Sequence, residues 1–302
     1  MLNKTDKNDA GAMRFKKKRS QMHDVWRRFR KSPIAMTGMV VVFLMLLLAV
    51  FADVIAPAEG IHPGYDIQDL RNRFAPPSRD NIMGTDELGR DIFSRIAHGA
   101  RVSLLIGFVT VTFSMITGVT LGIIAGFYGG FTENVLMRCI DVVLAIPPIL
   151  LAISIASALT PGLMTMVLAI GIGAIPLYAR VMRASVLAVR EQEFIEAARA
   201  VGTGNFRIIR KHVLPNCIAP VIVQATMGMA YAILWAAALS FIGLGISPPT
   251  PEWGAMLSSA RMHIRDHGHL VLFPGLAIAI IIFALNMMGD GLRDAFDPKL
   301  KK

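Results

Sequence analysis

Charge is missing from two long stretches of this sequence. Residues 142–179 contain no Asp, Glu, Lys, Arg or His, and neither do residues 216–251, so the two runs are 38 and 36 residues long. A helix of about 20 apolar residues crosses the hydrocarbon core of a bilayer, which is about 30 Å thick. A water-soluble domain has little reason to keep charge out of runs of this length. The sequence therefore predicts an all-α integral membrane protein.

Charged residues are also scarce overall, at 17% of the 302 residues, whereas soluble domains average about 25%. The net charge of +10 is a feature that nucleic-acid-binding proteins share. Here, however, the basic residues flank the apolar runs, and no polar domain is long enough to present a binding face. We therefore expect no nucleic acid among the partners.

Cysteine is nearly absent, with Cys139 and Cys217 as the two examples. Two cysteines near the ends of predicted spans do not make a disulfide framework. We expect each to be a small buried apolar residue. The first apolar run lacks a small-residue cleavage site, which favours a retained span over a signal peptide.

Six membrane spans are predicted from the apolar runs. Two of them share the uncharged run 142–179, with a turn between them at Thr160-Pro161-Gly162. The expected spans are residues 33–55, 103–128, the two parts of 142–179, 218–246 and 270–289.

Lysine and arginine fix the predicted orientation. With the N-terminus in the cytoplasm, 23 of the 31 basic residues lie on the inner side, as the positive-inside rule requires. Both termini are then cytoplasmic, and we expect the basic N-terminal tail to bind anionic membrane lipid. The resulting division is a cytoplasmic tail 1–32, a first transmembrane helix 33–55, an extracytoplasmic loop 56–102, a five-helix core 103–289 with a cytoplasmic loop 184–215, and a second tail 290–302.

The predicted spans carry no ionisable residue in their apolar cores. This weighs against a proton-coupled secondary transporter and a voltage sensor, because both use intramembrane charge. Gly118, Gly122 and Gly126 form a smooth strip that another helix can approach closely. Prolines at 147, 148 and 176 interrupt two spans, which suits either a moving cavity wall or ordinary bundle packing.

Motifs for catalysis and nucleotide binding are missing. No Gly-Lys-Ser/Thr phosphate loop occurs, so any energy from ATP must come through a partner. There is no Ser-His-Asp or paired-carboxylate arrangement. A cluster of His263, His267 and His269 leaves a metal-dependent membrane enzyme open as an alternative, although a solvated loop is the simpler interpretation.

Three polar segments carry more specific expectations. The outer loop predicts a helix that begins at Asp86 and Glu87 and ends near residues 99–101, with acid at its start and base at its end. Asp141 is one helical turn from Arg138 and could pair with it. The last segment, residues 193–216, reads EFIEAARAVGTGNFRIIRKHVLPN and lies between the fourth and fifth spans.

The 193–216 segment predicts a helix-turn-helix on the inner membrane surface. A helix over residues 185–201 should end at Gly202 in a left-handed cap. Asn205 should cap a short second helix, and Pro215 should set the start of the fifth span. The segment should also carry an apolar face, formed by Phe194, Ile195, Ala198, Val201 and Phe206. An exposed face of this kind usually binds in a groove of a partner protein.

At these residues the chain resembles the permease subunits of ATP-binding-cassette (ABC) importers. Their cytoplasmic loop has the pattern Glu-Ala-Ala, three residues, Gly, nine residues, an aliphatic residue, any residue and Leu-Pro. His212 stands at the aliphatic position and departs from this pattern. The matching residues are Glu196, Ala197, Ala198, Gly202, Leu214 and Pro215.

The resemblance implies a type I ABC importer permease fold with six transmembrane helices in the bacterial inner membrane. It implies that the loop docks into a cleft of an ATPase subunit, that Glu196 holds the loop by pairing or capping, and that the two alanines and Gly202 permit close packing. The chain itself would hold no cofactor, since ATP and Mg²⁺ bind to the ATPases. The implied partners are a homologous permease in a heterodimer, two ATPase subunits and an extracytoplasmic substrate-binding protein.

Three further stretches look like the peptide and nickel permease group, on the dipeptide "C"-type subunit side. They are residues 84–104, 239–257 and 288–299. The resemblance implies import of dipeptides or oligopeptides, with nickel chelates and glutathione as alternatives. From a different class, a stand-alone secondary transporter remains an alternative that would need no ATP.

Overall fold

The computed structural model describes residues 21–57 and 64–297, and this part of the chain is built from helices without a β-strand. The helices are α1 (Gln21–Phe29), α2 (Pro33–Val50), α3 (Ala52–Ile55), α4 (Ile92–Tyr128), α5 (Gly130–Ala145), α6 (Pro148–Ala158), α7 (Leu163–Arg190), α8 (Glu193–Ala200), α9 (Asn205–Ile208), α10 (Leu214–Phe241), α11 (Trp253–Ala260) and α12 (His269–Phe296). Most neighbouring helices are joined by short turns, but long segments precede α4 and separate α10 from α11.

Five helical stretches are each long and apolar enough to cross a bilayer, and α5 with α6 makes a sixth if the two count as one span. These two helices meet at 87°. The break falls at Ile146-Pro147, as the prolines predict, because a proline disfavours helical backbone in the residue before it. The turn after α6 also lies where the sequence places it. The predicted all-helical membrane fold with six spans is thus confirmed.

The second span begins earlier than predicted, and the separate outer helix does not exist. Asp86 stays in the loop, where its Oδ1 accepts hydrogen bonds from the backbone amides of Leu88 and Arg90. Asp91 is the true N-cap, because its carboxylate accepts from the amide of Ser94 at 2.7 Å. The helix then runs without interruption through residues 99–101 to Tyr128. Gly99 lies inside the helix and does not end it. Its lack of a side chain leaves room for the ring of Trp253, which packs against it.

The glycine strip of α4 packs against α7, as its spacing predicts. A methyl group on Gly118 would stand 2.6 Å from Cβ of Tyr178, and one on Gly122 would stand 2.5 Å from the carbonyl oxygen of Ala179. Gly126 meets Val186 in the same way one turn further on. Such distances leave no room for any side chain, so the two backbones touch directly. The α4–α7 pair is the most extensive helix contact of the bundle.

The ends of the helices show which loops share a side of the membrane. The end of α2 packs beside the start of α4, where Ala49 and Ile92 belong to one core. At the opposite side, Phe29 of α1 packs against Ala295 near the end of α12. The ends of α4 and α7 lie on that same side, since Arg190 donates a hydrogen bond to the carbonyl oxygen of Gly126 at 2.8 Å. Residues 193–216 therefore share a side with both described ends of the chain.

Two local predictions are wrong. Cys139 is exposed, whereas Cys217 is buried as expected; both cysteines are free. Asp141 pairs with Arg180 of α7 at 2.6 Å, and not with Arg138 of its own helix. The bend before α6 brings α5 alongside α7, so a partner on the neighbouring helix is available at shorter range than the residue one turn back.

Candidate functional site

The 193–216 segment, the elbow, folds as a short helix, a tight turn and the start of a long helix. The predicted helix over residues 185–201 is divided: α7 ends at Arg190, Glu191 and Gln192 form a turn, and α8 follows. Gln192 has extended backbone angles and acts as the N-cap of α8 without a side-chain hydrogen bond. After this turn, buried residues of α8 pack in one core with α7.

Gly202 ends α8 as the sequence predicts. Its φ of +74° is in the left-handed region, where glycine alone carries no steric penalty. The amide of Gly202 donates to the carbonyl oxygen of Arg199, and the amide of Thr203 donates to that of Ala198. This pair of hydrogen bonds is a Schellman motif, and it satisfies carbonyl groups that the end of a helix leaves free.

The second half of the segment differs from its prediction. Gly204, and not Asn205, is the N-cap, and Asn205 is the first residue of α9. Pro215 lies in the first turn of α10, as predicted for the start of the fifth span, but a π-helical turn over residues 209–213 joins α9 to α10 without a break. A proline has no amide hydrogen and clashes with the preceding turn of an α-helix, and the wider π turn gives it room. The elbow and the fifth span are consequently one helical rod, Asn205–Phe241.

The inner face of the segment anchors it to the bundle. Ile195, Ile208 and Val213 are fully buried, and Ala198 is nearly so. They share one hydrophobic core with residues of α4 and α7, among them Met182. Full burial of an isoleucine or valine contributes about 1.5–3 kcal/mol, so these contacts hold the elbow firmly against the ends of the two packed helices.

The outer face of the segment has no partner within the described chain. Val201 and Phe206 flank the Gly202 turn and are 78% and 76% exposed. Glu196 is exposed as well, and its carboxylate forms no hydrogen bond or ion pair with any described residue. The expected pairing or capping by Glu196 is therefore not made inside the described part of the chain, and the carboxylate is free to meet another molecule.

Close packing inside the chain involves one of the three small residues in the motif. Ala198 is buried, but Ala197 is exposed and a methyl group on Gly202 would meet no atom within 4 Å. Leu214 is half-buried and Pro215 is exposed. The motif residues thus form a continuous strip that combines an anchored side with an open side.

A group of ion pairs near the segment was not predicted from the sequence. Nε of Arg183 on α7 donates to Oε1 of Glu133 on α5 at 2.6 Å, one turn of α7 from the Arg180–Asp141 pair. Together the two pairs hold α5 against the C-terminal half of α7, and they border a polar cleft of about 560 Å³. The spacing of the two arginines, three residues apart on one helix, was the available signal, but their partners are 39 and 50 residues away.

The outer histidines pack around an aromatic ring. The ring of Phe74 lies 4.7 Å from that of His263 and is stacked at 4.5 Å on that of His267. Among the described residues, no three His, Cys, Asp or Glu side chains are placed to hold a metal ion. The metal-dependent enzyme considered above therefore gains no support from this cluster.

Curated relatives cover almost the whole chain. It is 45% identical over 282 residues to the dipeptide transport system permease protein DppC of Alkalihalophilus pseudofirmus, covering 93% of this chain and 91% of the relative. The di/tripeptide transport system permease protein DppC of Pseudomonas aeruginosa is also 45% identical, with 93% of each chain covered. The glutathione transport system permease protein GsiD of Escherichia coli is 43% identical, covering 94% of this chain and 92% of its own.

A solved structure supports the fold. The inward-facing MetNI methionine ABC transporter matches with a TM-score of 0.55 and 19% identity, covering 67% of this chain and 97% of that one. At this identity the match speaks for the fold alone, which is that of an ABC importer permease.

Two families account for most of the sequence. The N-terminal transmembrane domain of oligopeptide transport permease C matches residues 20–77. The binding-protein-dependent transport system inner membrane component matches residues 118–302, more than half of the chain. The chain is therefore a multi-pass membrane protein that belongs to the binding-protein-dependent transport system inner membrane components, the permease subunits of ABC importers.

Proposed function

We propose that this chain is the non-catalytic membrane subunit of an importer that carries dipeptides or oligopeptides across the bacterial inner membrane. Its energy comes from two ATPase subunits that bind ATP and Mg²⁺. A homologous permease completes the membrane pathway, and an extracytoplasmic binding protein delivers the cargo. The permeases to which the chain is similar support this assignment, because two of the three relatives above are named for dipeptides or di- and tripeptides.

The coupling role belongs to the 193–216 segment, and one observation carries it. Val201 and Phe206 stand open to solvent at the turn, while the residues behind them are fully buried. A solvent-facing pair of large apolar residues on a rigid support is typical of a surface that docks into a partner. Burying both in a cleft of the ATPase would contribute about 1.5–3 kcal/mol for each side chain.

The continuity of the rod supports transmission of force from the same surface. Because α9, the π turn and α10 form one helical stretch, a displacement of the elbow moves the fifth span with it. Ile195 and Ile208 tie α8 and α9 to α7, so the fourth span follows. ATP-driven closure of the ATPases would in this way switch the spans between inward-facing and outward-facing access.

The sidedness of the segment follows from the basic residues. The elbow shares its side with both described ends of the chain, and that side carries most of the described arginine and lysine residues. The positive-inside rule therefore supports a cytoplasmic location for the elbow and both termini, where the ATPases would meet the elbow.

Glutathione is the second candidate cargo. A named glutathione permease is 43% identical over nearly the full length, only slightly less than the dipeptide relatives. Nickel chelates remain the third possibility, from the same wider group. A binding screen with the delivering protein separates the three cargoes.

The coupling role is tested with Val201→Asp and Phe206→Asp, introduced together. A charge on each exposed side chain should disrupt docking into an apolar cleft but not the buried anchor. We expect the variant to insert at normal levels, to lose copurification with the ATPases and to lose peptide uptake. Met262→Asp is the matched control, because Met262 is 79% exposed at the opposite side of the bundle.

Two outcomes would refute the proposal. The coupling role fails if the double variant still copurifies with the ATPases and transports peptide at the level of the unchanged protein. The import role fails if the chain alone, in vesicles without ATP, transports the peptide.

A further inference from the structure

A cavity of about 430 Å³ lies between α4, α6, α7 and α10 and opens to the surface of the bundle, where its lining residues Leu177 and Tyr231 are 45% and 59% exposed. Thr110, which lines it, lies in the uncharged part of α4 after Arg101, so the cavity lies within the membrane-spanning part of the bundle. Pro148, the first residue of the bent half-span α6, forms part of the wall. This volume falls in the range of small-molecule sites, about 300–1,000 Å³.

Several polar groups in the wall have no partner within the described chain. Thr110 is 1% exposed, and its buried hydroxyl makes no hydrogen bond. The Tyr178 hydroxyl and the Gln224 side-chain amide also line the cavity, and neither is hydrogen-bonded to a described residue. Ser114 is the contrast, because its hydroxyl donates to backbone carbonyl groups of Thr110 and Gly171. Buried polar groups in proteins are normally paired, so the open hydroxyl of Thr110, with the Tyr178 and Gln224 groups beside it, points to a ligand or to water.

Gly228 explains how the Tyr178 hydroxyl reaches the cavity. A methyl group at Gly228 would lie 2.2 Å from that hydroxyl oxygen, so any other residue would displace the tyrosine. The glycine and the tyrosine come from different spans, α10 and α7, and the open hydroxyl depends on both.

The wall has no fixed charge. None of the residues that line it is Asp, Glu, Lys, Arg or His, and the Asp141–Arg180 pair borders the separate polar cleft. Hydroxyl and amide groups can donate to and accept from a peptide bond, and the apolar remainder of the wall can contact side chains of any shape. Without a charge to trap the ligand, binding stays weak enough for release, as a conduit requires.

We propose that the main chain of the transported peptide passes through this cavity on its way across the membrane. Thr110, Tyr178 and Gln224 pair with peptide N–H and C=O groups of the cargo. This inference rests on the proposed import of peptides and adds the site and the chemistry by which the membrane subunit accepts them. Selection among side chains is left to the delivering protein.

The first test fills the cavity. Gly173 lies in its wall, and a methyl group there would meet one atom within 4 Å, the Cδ2 atom of Leu151 at 3.9 Å. Gly173→Leu should therefore fold and insert, yet block the passage. The matched control is Gly275→Leu on α12, where a methyl group meets nothing within 4 Å and which does not line the cavity.

Uptake of a radiolabelled dipeptide is measured with the assembled transporter in proteoliposomes, with copurification of the ATPases as a folding readout. We expect loss of uptake with retained ATPase binding for Gly173→Leu, and normal uptake for Gly275→Leu. Normal uptake by Gly173→Leu would overturn the inference.

The second test locates the cargo directly. A dipeptide with a photoreactive diazirine side chain is transported with ATP, illuminated and mapped by mass spectrometry. We expect adducts on α7 or α10 residues of the cavity wall, competed by excess unlabelled dipeptide. Adducts confined to residues outside the cavity wall, or labelling of the wall that excess dipeptide does not reduce, would overturn the inference. The import role would still stand in that case, provided that the unchanged transporter takes up the dipeptide. No uptake by the unchanged transporter would refute the import role itself.

Discussion

At the scale of single residues, Gly202 links a local backbone requirement to the proposed docking. Its φ of +74° positions the turn between α8 and α9, and the Schellman hydrogen bonds fix the relative direction of the two helices. The exposed side chains Val201 and Phe206 lie on either side of this turn. A change in the turn therefore alters the spacing of the two apolar groups that the partner is proposed to receive.

Gly202→Ala should weaken coupling through backbone strain alone. A side chain in the left-handed region costs about 1–2 kcal/mol, and no atom lies near enough for a steric clash to contribute. We expect reduced peptide uptake and reduced copurification of the ATPases. Gly204→Ala is the matched control, because Gly204 also has open space around it but has a φ of −65°. Equal losses in the two variants would contradict the explanation.

At the scale of helices, the glycine strip makes α4 and α7 one rigid unit. Gly118, Gly122 and Gly126 bring the two backbones into contact, and the Arg183–Glu133 pair adds α5 to the lower half of the unit. The elbow is anchored on this unit, while α10 continues from the elbow itself. A displacement of the elbow would therefore move the α4–α7 unit and α10 together.

Gly122→Val should separate the two helices. A Cβ atom at Gly122 would lie 2.5 Å from a backbone carbonyl oxygen of α7, which cannot move without its helix. Overpacking of this kind costs about 1–3 kcal/mol or more, and we expect a lower melting temperature in detergent and a lower yield. Gly275→Val, at a glycine with open space, should leave both unchanged. The close-packing argument would be wrong if the two variants melted together.

The sequence predicts features that depend on near neighbours and misses those that depend on distant ones. Gly202 follows from the end of a helical pattern, and the strip follows from glycines four residues apart. Asp86 and Asp91 both precede the same apolar pattern, and composition could not tell which one caps α4. The partner of Asp141 is 39 residues away, and the cavity polar groups come from three different helices. Such contacts depend on how helices pack, which local periodicity does not specify.

At the scale of the whole molecule, the two sides of the bundle have different characters. One side carries the elbow, the Arg180–Asp141 and Arg183–Glu133 ion pairs, and both described ends of the chain. The other carries the capped start of α4, α11 and the histidines around Phe74. The proposed importer requires the first side to face the ATPases and the second to face the delivering protein.

Cysteine labelling tests this sidedness. Val201→Cys and Met262→Cys are each made with Cys139→Ser, which removes the exposed native cysteine, while Cys217 is buried. Both new positions are more than three-quarters exposed. We expect a membrane-impermeant maleimide to label Met262→Cys in intact spheroplasts and Val201→Cys only in inverted vesicles. The opposite pattern would place the elbow outside and end the coupling proposal.

The most direct measurement of the central claim is a photo-cross-link from the elbow. A photoreactive amino acid replaces Phe206, which is 76% exposed, in the assembled transporter. The account predicts a covalent product that contains this chain and an ATPase subunit, with a yield that changes when ATP is added. A reactive group that captures no ATPase subunit, while one at Met262 does, would contradict it.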